Sequence, residues 1–269
     1  MEGELYMSVH KIINDGISIQ DDKILLDMDR DSETDILNTM HIELYKSEFL
    51  GNIYYFGYLF NENTSRKDRT TVIKWLKGLS PNVIDNNSLQ KFIRKPLLEL
   101  NKHENLTKFN CLLYPRSCRS NLTKVIVNEI YKLTTHDMER SSFELVKTLP
   151  GSVQFDWKSF NANYSGDLGD NQYKQIQSYV NDILIPKIHN LSYFSIADNV
   201  KYKYRPYIHN YLTFSDTESK NLIESIQEGK ILIVDDINTS GSTLTEILRI
   251  VRSINNNCEI YIFTLIGKI

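Results

Sequence analysis

The chain has 269 residues, 41% hydrophobic and 24% charged, which is enough apolar material for a sizeable core and argues against global disorder. A net charge of −3 gives no electrostatic reason to bind nucleic acid or an anionic membrane, although a local basic patch is left open. The three cysteines, Cys111, Cys118 and Cys258, lack paired spacing, so neither a disulfide framework nor a structural zinc site is expected.

The N-terminal stretch MEGELYMSVHKIINDG has no basic segment followed by an apolar run. No segment reaches the length of about 20 apolar residues that spans a bilayer. The expectation is a cytoplasmic protein that does not contact a membrane. Lys23 to Met28 reads as a strand, and Ile53 to Leu59 (IYYFGYL) is aromatic and β-prone. Ser65 to Leu79 reads as a helix capped by Ser65, with Val72, Ile73, Leu76 and Leu79 at helical spacing and Gly78 and Pro81 at its end. Ser88 to Leu100 reads as a second helix, bent or interrupted by Pro96. Phe109 to Tyr114 has strand character, PRSCRSN follows, and Leu122 to Leu133 reads as a helix. Gly151 to Asp170 is rich in Gly, Asn and Ser and is expected to be a long excursion or loop; Tyr193 to Ala197 is expected to be a strand. Then come a helix from Ser215 to Ile226, a strand from Ile231 to Val234, a helix from Thr243 to Ile254 and a strand from Ile260 to Ile266. Strands apolar on both faces, alternating with helices, imply an α/β fold with a covered parallel sheet.

The strand Ile231–Val234 runs into two adjacent carboxylates, Asp235 and Asp236, then into a short polar turn that opens a helix. Such a junction, beyond the carboxyl end of a strand, is where α/β folds bind ligands. The turn Asn238-Thr239-Ser240-Gly241-Ser242-Thr243 offers backbone N–H groups, hydroxyls and a helix N-terminus to one anion, and Gly241 permits close approach. A phosphate suits that turn. Carboxylates do not bind phosphate but do accept hydrogen bonds from sugar hydroxyls, and they can hold a divalent cation through water. Phosphate beside paired hydroxyls describes a ribose 5-phosphate. A Walker loop is absent.

Residues Ile231 to Thr243 closely resemble the signature of the type I phosphoribosyltransferases, which bind phosphoribosyl pyrophosphate (PRPP): apolar residues, two acidic ones, an apolar residue and a T-[ST]-G-x-T loop. The resemblance implies a parallel-sheet, Rossmann-like α/β domain over 105–269, with residues 1–104 an α+β accessory region that supplies a hood or an interaction module. It implies that Asp235 and Asp236 hold the ribose hydroxyls, reaching Mg²⁺ indirectly through water or ligand. Asn238, Thr239, Ser240, Gly241, Ser242 and Thr243 would hold the 5-phosphate. FNCLLY-PRSCRSN-LTKVIVNEIYKL has the layout of the family's pyrophosphate loop, formed by Arg116, Ser117, Cys118 and Arg119; arginine is a charge-assisted donor to a diphosphate. Lys201, Lys203 and Arg205 are candidates for the basic mobile loop that closes over PRPP, with an edge strand as the alternative for that stretch. The C-terminal half is similar to competence-associated phosphoribosyltransferases but lacks their N-terminal zinc-type cysteines. With no segment after the last strand, the hood for the acceptor would come from residues 1–104 or from 151–190.

Other constellations compete less well. Ile24-Leu-Leu-Asp27-Met-Asp29 resembles the opening of haloacid dehalogenase-type phosphatases, but Asp31 stands where that family has threonine, and the Thr239–Thr243 turn is left without a role. The same acidic run lacks the glycine and glutamate of a calcium loop. The six histidines form no H-x-x-x-H pair. Arg66, Lys67 and Arg69 are broken by Asp68 and read as a solvated face, with a nucleic-acid contact as the alternative. Two functions follow from the resemblance. One is transfer of a phosphoribosyl group to a nitrogen acceptor with release of pyrophosphate. The other is non-catalytic sensing of PRPP or a nucleotide through a protein or nucleic-acid partner. A homo-oligomer or larger complex is compatible with either.

Overall fold

In the computed structural model the described residues are 17–20, 23–26, 37–38, 44–60, 65–80, 83–117, 119–135, 137–164, 169–226 and 228–267. In chain order they begin with β1 (Ile17–Gln20), β2 (Lys23–Leu26), β3 (Leu37–Asn38), β4 (Tyr45–Phe49) and β5 (Asn52–Phe60). Next come α1 (Arg66–Leu76), β6 (Val83–Ile84), α2 (Asn86–Glu104), β7 (Cys111–Pro115), α3 (Leu122–Leu133) and β8 (Ser142–Lys147). Then follow β9 (Gln154–Phe155), α4 (Trp157–Tyr164), α5 (Asp170–Ser178), α6 (Ile185–His189), α7 (Ile196–Asn199), β10 (Ile208–His209) and β11 (Leu212–Phe214). The last elements are α8 (Thr217–Ser225), β12 (Lys230–Ile237), α9 (Ser242–Ile254) and β13 (Glu259–Ile266). The acidic run Asp27, Asp29 and Asp31 lies outside the described residues, as does Cys118.

Packing divides the chain into two units: Met1–Phe143 with Ile226–Thr239 and Asn257–Ile269, and Glu144–Ser225 with Ser240–Asn256. This is not the boundary expected at 104/105. The physical reason is β5, which comes from the first hundred residues yet pairs in parallel with β13.

In the first unit β7, β12, β13 and β5 lie side by side in that order, all parallel. β4 and β3 pair antiparallel with β5. The expected α/β architecture with a parallel sheet is therefore present. Both β12 and β13 are buried along nearly their whole length, as continuous apolar runs require. One face of this sheet carries a large core: Leu232 and Val234 of β12 and Phe263 and Leu265 of β13 meet Trp75 of α1, Phe92 and Leu97 of α2, and Ile126 of α3.

Ser65 caps α1 as expected, its hydroxyl accepting from the Asp68 N–H at 3.2 Å, and Gly78 leaves the helix with φ +66°. Pro96 does not interrupt its helix, which runs unbroken from Asn86 to Glu104. Two neighbours from β5 make that tolerable. Gly57 leaves room for the ring, since a Cβ there would stand 2.8 Å from Pro96 Cβ. The proline also deprives the Phe92 carbonyl of its helical N–H donor, and the Tyr58 hydroxyl donates to that carbonyl at 2.8 Å. Tyr58 is buried and its ring stacks on Phe92. Tyr58→Phe should therefore strand a buried carbonyl and destabilise the fold by about 1–3 kcal/mol. Reversible urea unfolding measures this, and no loss would show the carbonyl to be satisfied otherwise.

The second unit holds β8 and β11, paired antiparallel, and β9 and β10, also antiparallel. α9 buries Leu244, Ile247, Leu248 and Val251, the face anticipated from their spacing. The stretch 151–170 is not one long loop: β9 and α4 form within it. Aromatic packing overrides its polar composition, with Phe155, Trp157, Phe160 and Tyr207 ring against ring, while Asp156 accepts from the Ser159 N–H at 3.0 Å to start the helix. Nor is Tyr193–Ala197 a strand. Ser195 precedes the single helical turn α7, and the Asn199 side chain accepts from the Ser195 N–H at 3.0 Å. Among the described residues no helix is long and apolar enough to cross a membrane.

Candidate functional site

β12 extends three residues beyond the predicted Val234, so Asp235 and Asp236 lie inside a strand rather than after it. Successive strand residues point to opposite faces. Asp235 stands in register beside Thr264 of β13. Asp236 lies on the other face, where its Oδ1 meets Lys77 Nζ at 2.9 Å, just past the end of α1. The Asp236 side chain is only 5% exposed and that of Lys77 26%. The two carboxylates, expected to act alike, thus have different surroundings. Pointing apart, they do not fit a direct chelate for one Mg²⁺. Among the described residues no group of three or more His, Cys, Asp or Glu side chains could hold a metal.

Beyond Asp235 the chain enters a buried polar network. The Asn238 N–H donates to the Ile266 carbonyl at 3.0 Å. Thr264 Oγ1 donates to the same carbonyl at 2.9 Å, and it also lies 2.7 Å from the Tyr54 hydroxyl, which in turn is 3.3 Å from Asn238 Nδ2. Burial pushes the Tyr54 hydroxyl pKa above its ordinary value, and the Asp235 charge adds to the rise; the hydrogen bonds with Thr264 and Asn238 act the other way. Tyr54 therefore stays a neutral donor. Neither Tyr54 nor Thr264 was singled out from sequence, although Thr264 is the one aliphatic hydroxyl inside the apolar run IYIFTLI.

The turn that follows is local in character. Thr239 is exposed, Ser240 and Thr243 are half-buried, and Gly241 and Ser242 are buried. Gly241 has φ +71°, the left-handed conformation for which glycine has no Cβ penalty, and it caps α9 without a side-chain hydrogen bond to the first turn. The Ser240 and Ser242 hydroxyls lie 2.8 Å apart. The Ser242 carbonyl accepts from Tyr211 Oη at 2.7 Å, and Tyr211 is buried. Thr239 ends one packing unit and Ser240 begins a segment of the other.

The arginine segment leaves β7, the parallel neighbour of β12. Ile233 is in register with Leu113. β7 runs two residues further, to Pro115, and Arg116 follows at the carboxyl end of that strand. Arg116, Ser117 and Arg119 are exposed. Ser117 Oγ accepts from the Ser120 N–H at 3.2 Å, and Ser120 Oγ from the Leu122 N–H at 3.1 Å, so serines shape the turn into α3. The Asn121 cap makes no side-chain bond to that helix.

The third basic stretch is neither an open loop nor an edge strand. Tyr202–Tyr207 forms a 3₁₀ turn with Tyr204 and Tyr207 buried. Arg205 donates to the Val200 and Ala197 carbonyls at 2.9 and 2.7 Å. Lys201 lies over the Tyr179 ring and Lys203 over that of Tyr204. These side chains brace the second unit, where the turn packs against α9. No protein-family model matches the chain, and no curated protein matches it.

Proposed function

We propose that the chain binds a 5-phosphorylated ribose, PRPP or a nucleotide, and transfers the phosphoribosyl group to a nitrogen acceptor. The bond from C1 to the pyrophosphate oxygen breaks, with the electron pair leaving on pyrophosphate. The C1–N bond forms, and the acceptor nitrogen loses its proton to solvent. One observation carries this reading: the arginine segment follows β7, and Asp235 lies near the carboxyl end of β12, the adjacent parallel strand. That is the place for ligands in parallel α/β sheets. In this reading Asp235 accepts from ribose hydroxyls, the Thr239–Thr243 turn receives the 5-phosphate, and Arg116, Ser117 and Arg119 serve the diphosphate. Mg²⁺ belongs to the proposal only as a counter-ion carried on the ligand's diphosphate. Cations near the departing pyrophosphate favour the step because negative charge grows there.

A second reading, in which the ligand is sensed and not turned over, draws support from the 3₁₀ turn. Arg205 is already committed to two backbone carbonyls, whereas a closing catalytic loop needs its cations for the leaving group. Release of pyrophosphate in a screen of nitrogen acceptors separates the two. The binding step common to both is tested by amide NMR. Ribose 5-phosphate should shift the Ser242, Thr243 and Leu244 amides in the wild type. Those shifts should vanish in Gly241→Val, since a β-branched residue does not tolerate φ +71°. Unmoved amides in the wild type would exclude this turn as the phosphate site.

A further inference from the structure

The network around Asn238 has a fixed direction. Thr264 gives its hydroxyl proton to the Ile266 carbonyl, so toward Tyr54 it is an acceptor. Tyr54 then spends its only proton on Thr264, and toward Asn238 it too is an acceptor. The side of the Asn238 amide that faces Tyr54 must therefore be the NH₂. Its Oδ1 points away, buried, with no hydrogen-bond partner among the described residues. Asn238 is 3% exposed, so this acceptor has been taken out of water without compensation, which is costly unless something donates to it.

We infer that Asn238 Oδ1 is the acceptor for one ring hydroxyl of the sugar, and that Tyr54 and Thr264 are positioning residues that lock it in that orientation. The inference rests on the ribose 5-phosphate reading and alters one part of it: Asn238 passes from the phosphate turn to the sugar side of the site. A phosphate offers acceptors, which an amide oxygen repels; a hydroxyl offers the missing donor. The strand places a second acceptor three residues earlier, since Asp235 stands beside Thr264 in register. A carboxylate and an amide oxygen at one edge suit a ligand that brings hydroxyl donors. The atom is enclosed, so a donor reaches it only by displacing what now covers it, and a single hydroxyl asks for the smallest displacement.

The probes are ribose 5-phosphate and its 2-deoxy and 3-deoxy analogues, titrated calorimetrically into wild type, Asn238→Leu and Tyr54→Phe, with thermal melting to confirm that each variant is folded. The wild type should prefer the ribose ligand over one deoxy analogue by about tenfold or more, because removing that hydroxyl leaves a buried acceptor unpaired. Asn238→Leu should bring this ratio close to one while leaving affinity for that deoxy analogue nearly unchanged. Tyr54→Phe keeps Asn238 but frees its amide to rotate, and should lower the ratio by an intermediate factor. A purely structural role would weaken all three ligands equally and leave the ratio intact. An undiminished ratio in both variants overturns the inference and spares the ribose 5-phosphate reading, with Oδ1 then satisfied by water. If no sugar phosphate binds the wild type, the reading and the inference fall together.

Discussion

Lys77→Met is expected to lower the unfolding free energy by about 2–3 kcal/mol, among the larger effects of a single change outside the apolar core. Asp236 is the reason. Its side chain is 5% exposed, on the sheet face that also carries Leu232 and Val234, and Lys77 is its cationic partner at 2.9 Å. Methionine keeps most of the lysine's length and removes only the charge, so the loss reports a carboxylate left buried without compensation. The Lys77 side chain is 26% exposed, which places the effect below that of a fully enclosed pair. Asp236→Asn alone should cost less than about 1 kcal/mol, because the lysine it leaves behind can turn toward water. The double variant Lys77→Met/Asp236→Leu should recover most of the loss. Urea unfolding of the four proteins measures the cycle. If Asp236→Asn proves as damaging as Lys77→Met, the pair stabilises through shape and not through charge.

The same geometry bears on how far the site could be read from sequence. The strand, the turn and the helix from Ile231 to Ile254 were legible because each has a strong local signature: a continuous apolar run, a hydroxyl-rich turn around Gly241, and leucines and isoleucines at helical spacing. What was not legible was the separation of Asp235 from Asp236. The strand continues to Ile237, and strand alternation then turns the carboxylates to opposite faces. Where the strand ended depended on pairing with β13, where Asp235 meets Thr264 and Ile237 meets Ile266, contacts remote in sequence. Lys77 lies more than 150 positions before its partner and carries no motif; only the packing of α1 brings it there. Tyr54 was read correctly as part of an aromatic strand, but its hydroxyl acquires meaning only beside Thr264 and Asn238. The misread segments have two different causes. Tyr193–Ala197 is too short for apolar content to distinguish strand from helix, and in 151–170 the packing of Phe155, Trp157 and Phe160 on one another and on Tyr207 outweighs a loop-like composition. Pro96 shows the converse: a residue that ordinarily stops a helix is accommodated by Gly57 and Tyr58 from another element.

Asp235→Asn is expected to reduce PRPP affinity about 100-fold while shifting the unfolding free energy by less than about 1 kcal/mol. Asp235 and Asp236 are the same residue type side by side, yet only one of them faces Thr264, at the carboxyl edge with Asn238. Asp235 is 8% exposed, and its Oδ1 accepts from the Asp236 N–H at 2.8 Å, which fixes the carboxylate. A carboxylate accepts two hydrogen bonds from a diol without offering a competing donor, and charge-assisted bonds of this kind contribute about 1.5–3 kcal/mol each. Asparagine keeps the shape, loses the charge and turns one acceptor into a donor. Asp236→Asn, on the opposite face and engaged with Lys77, should change PRPP affinity much less. The measurement is calorimetric titration of wild type, Asp235→Asn and Asp236→Asn with PRPP and Mg²⁺, with unfolding curves for each. Saturable binding by the wild type, lost in Asp235→Asn and largely kept in Asp236→Asn, is the predicted result. No binding by the wild type, or equal binding by all three proteins, would contradict a ribose 5-phosphate site at this edge of the sheet.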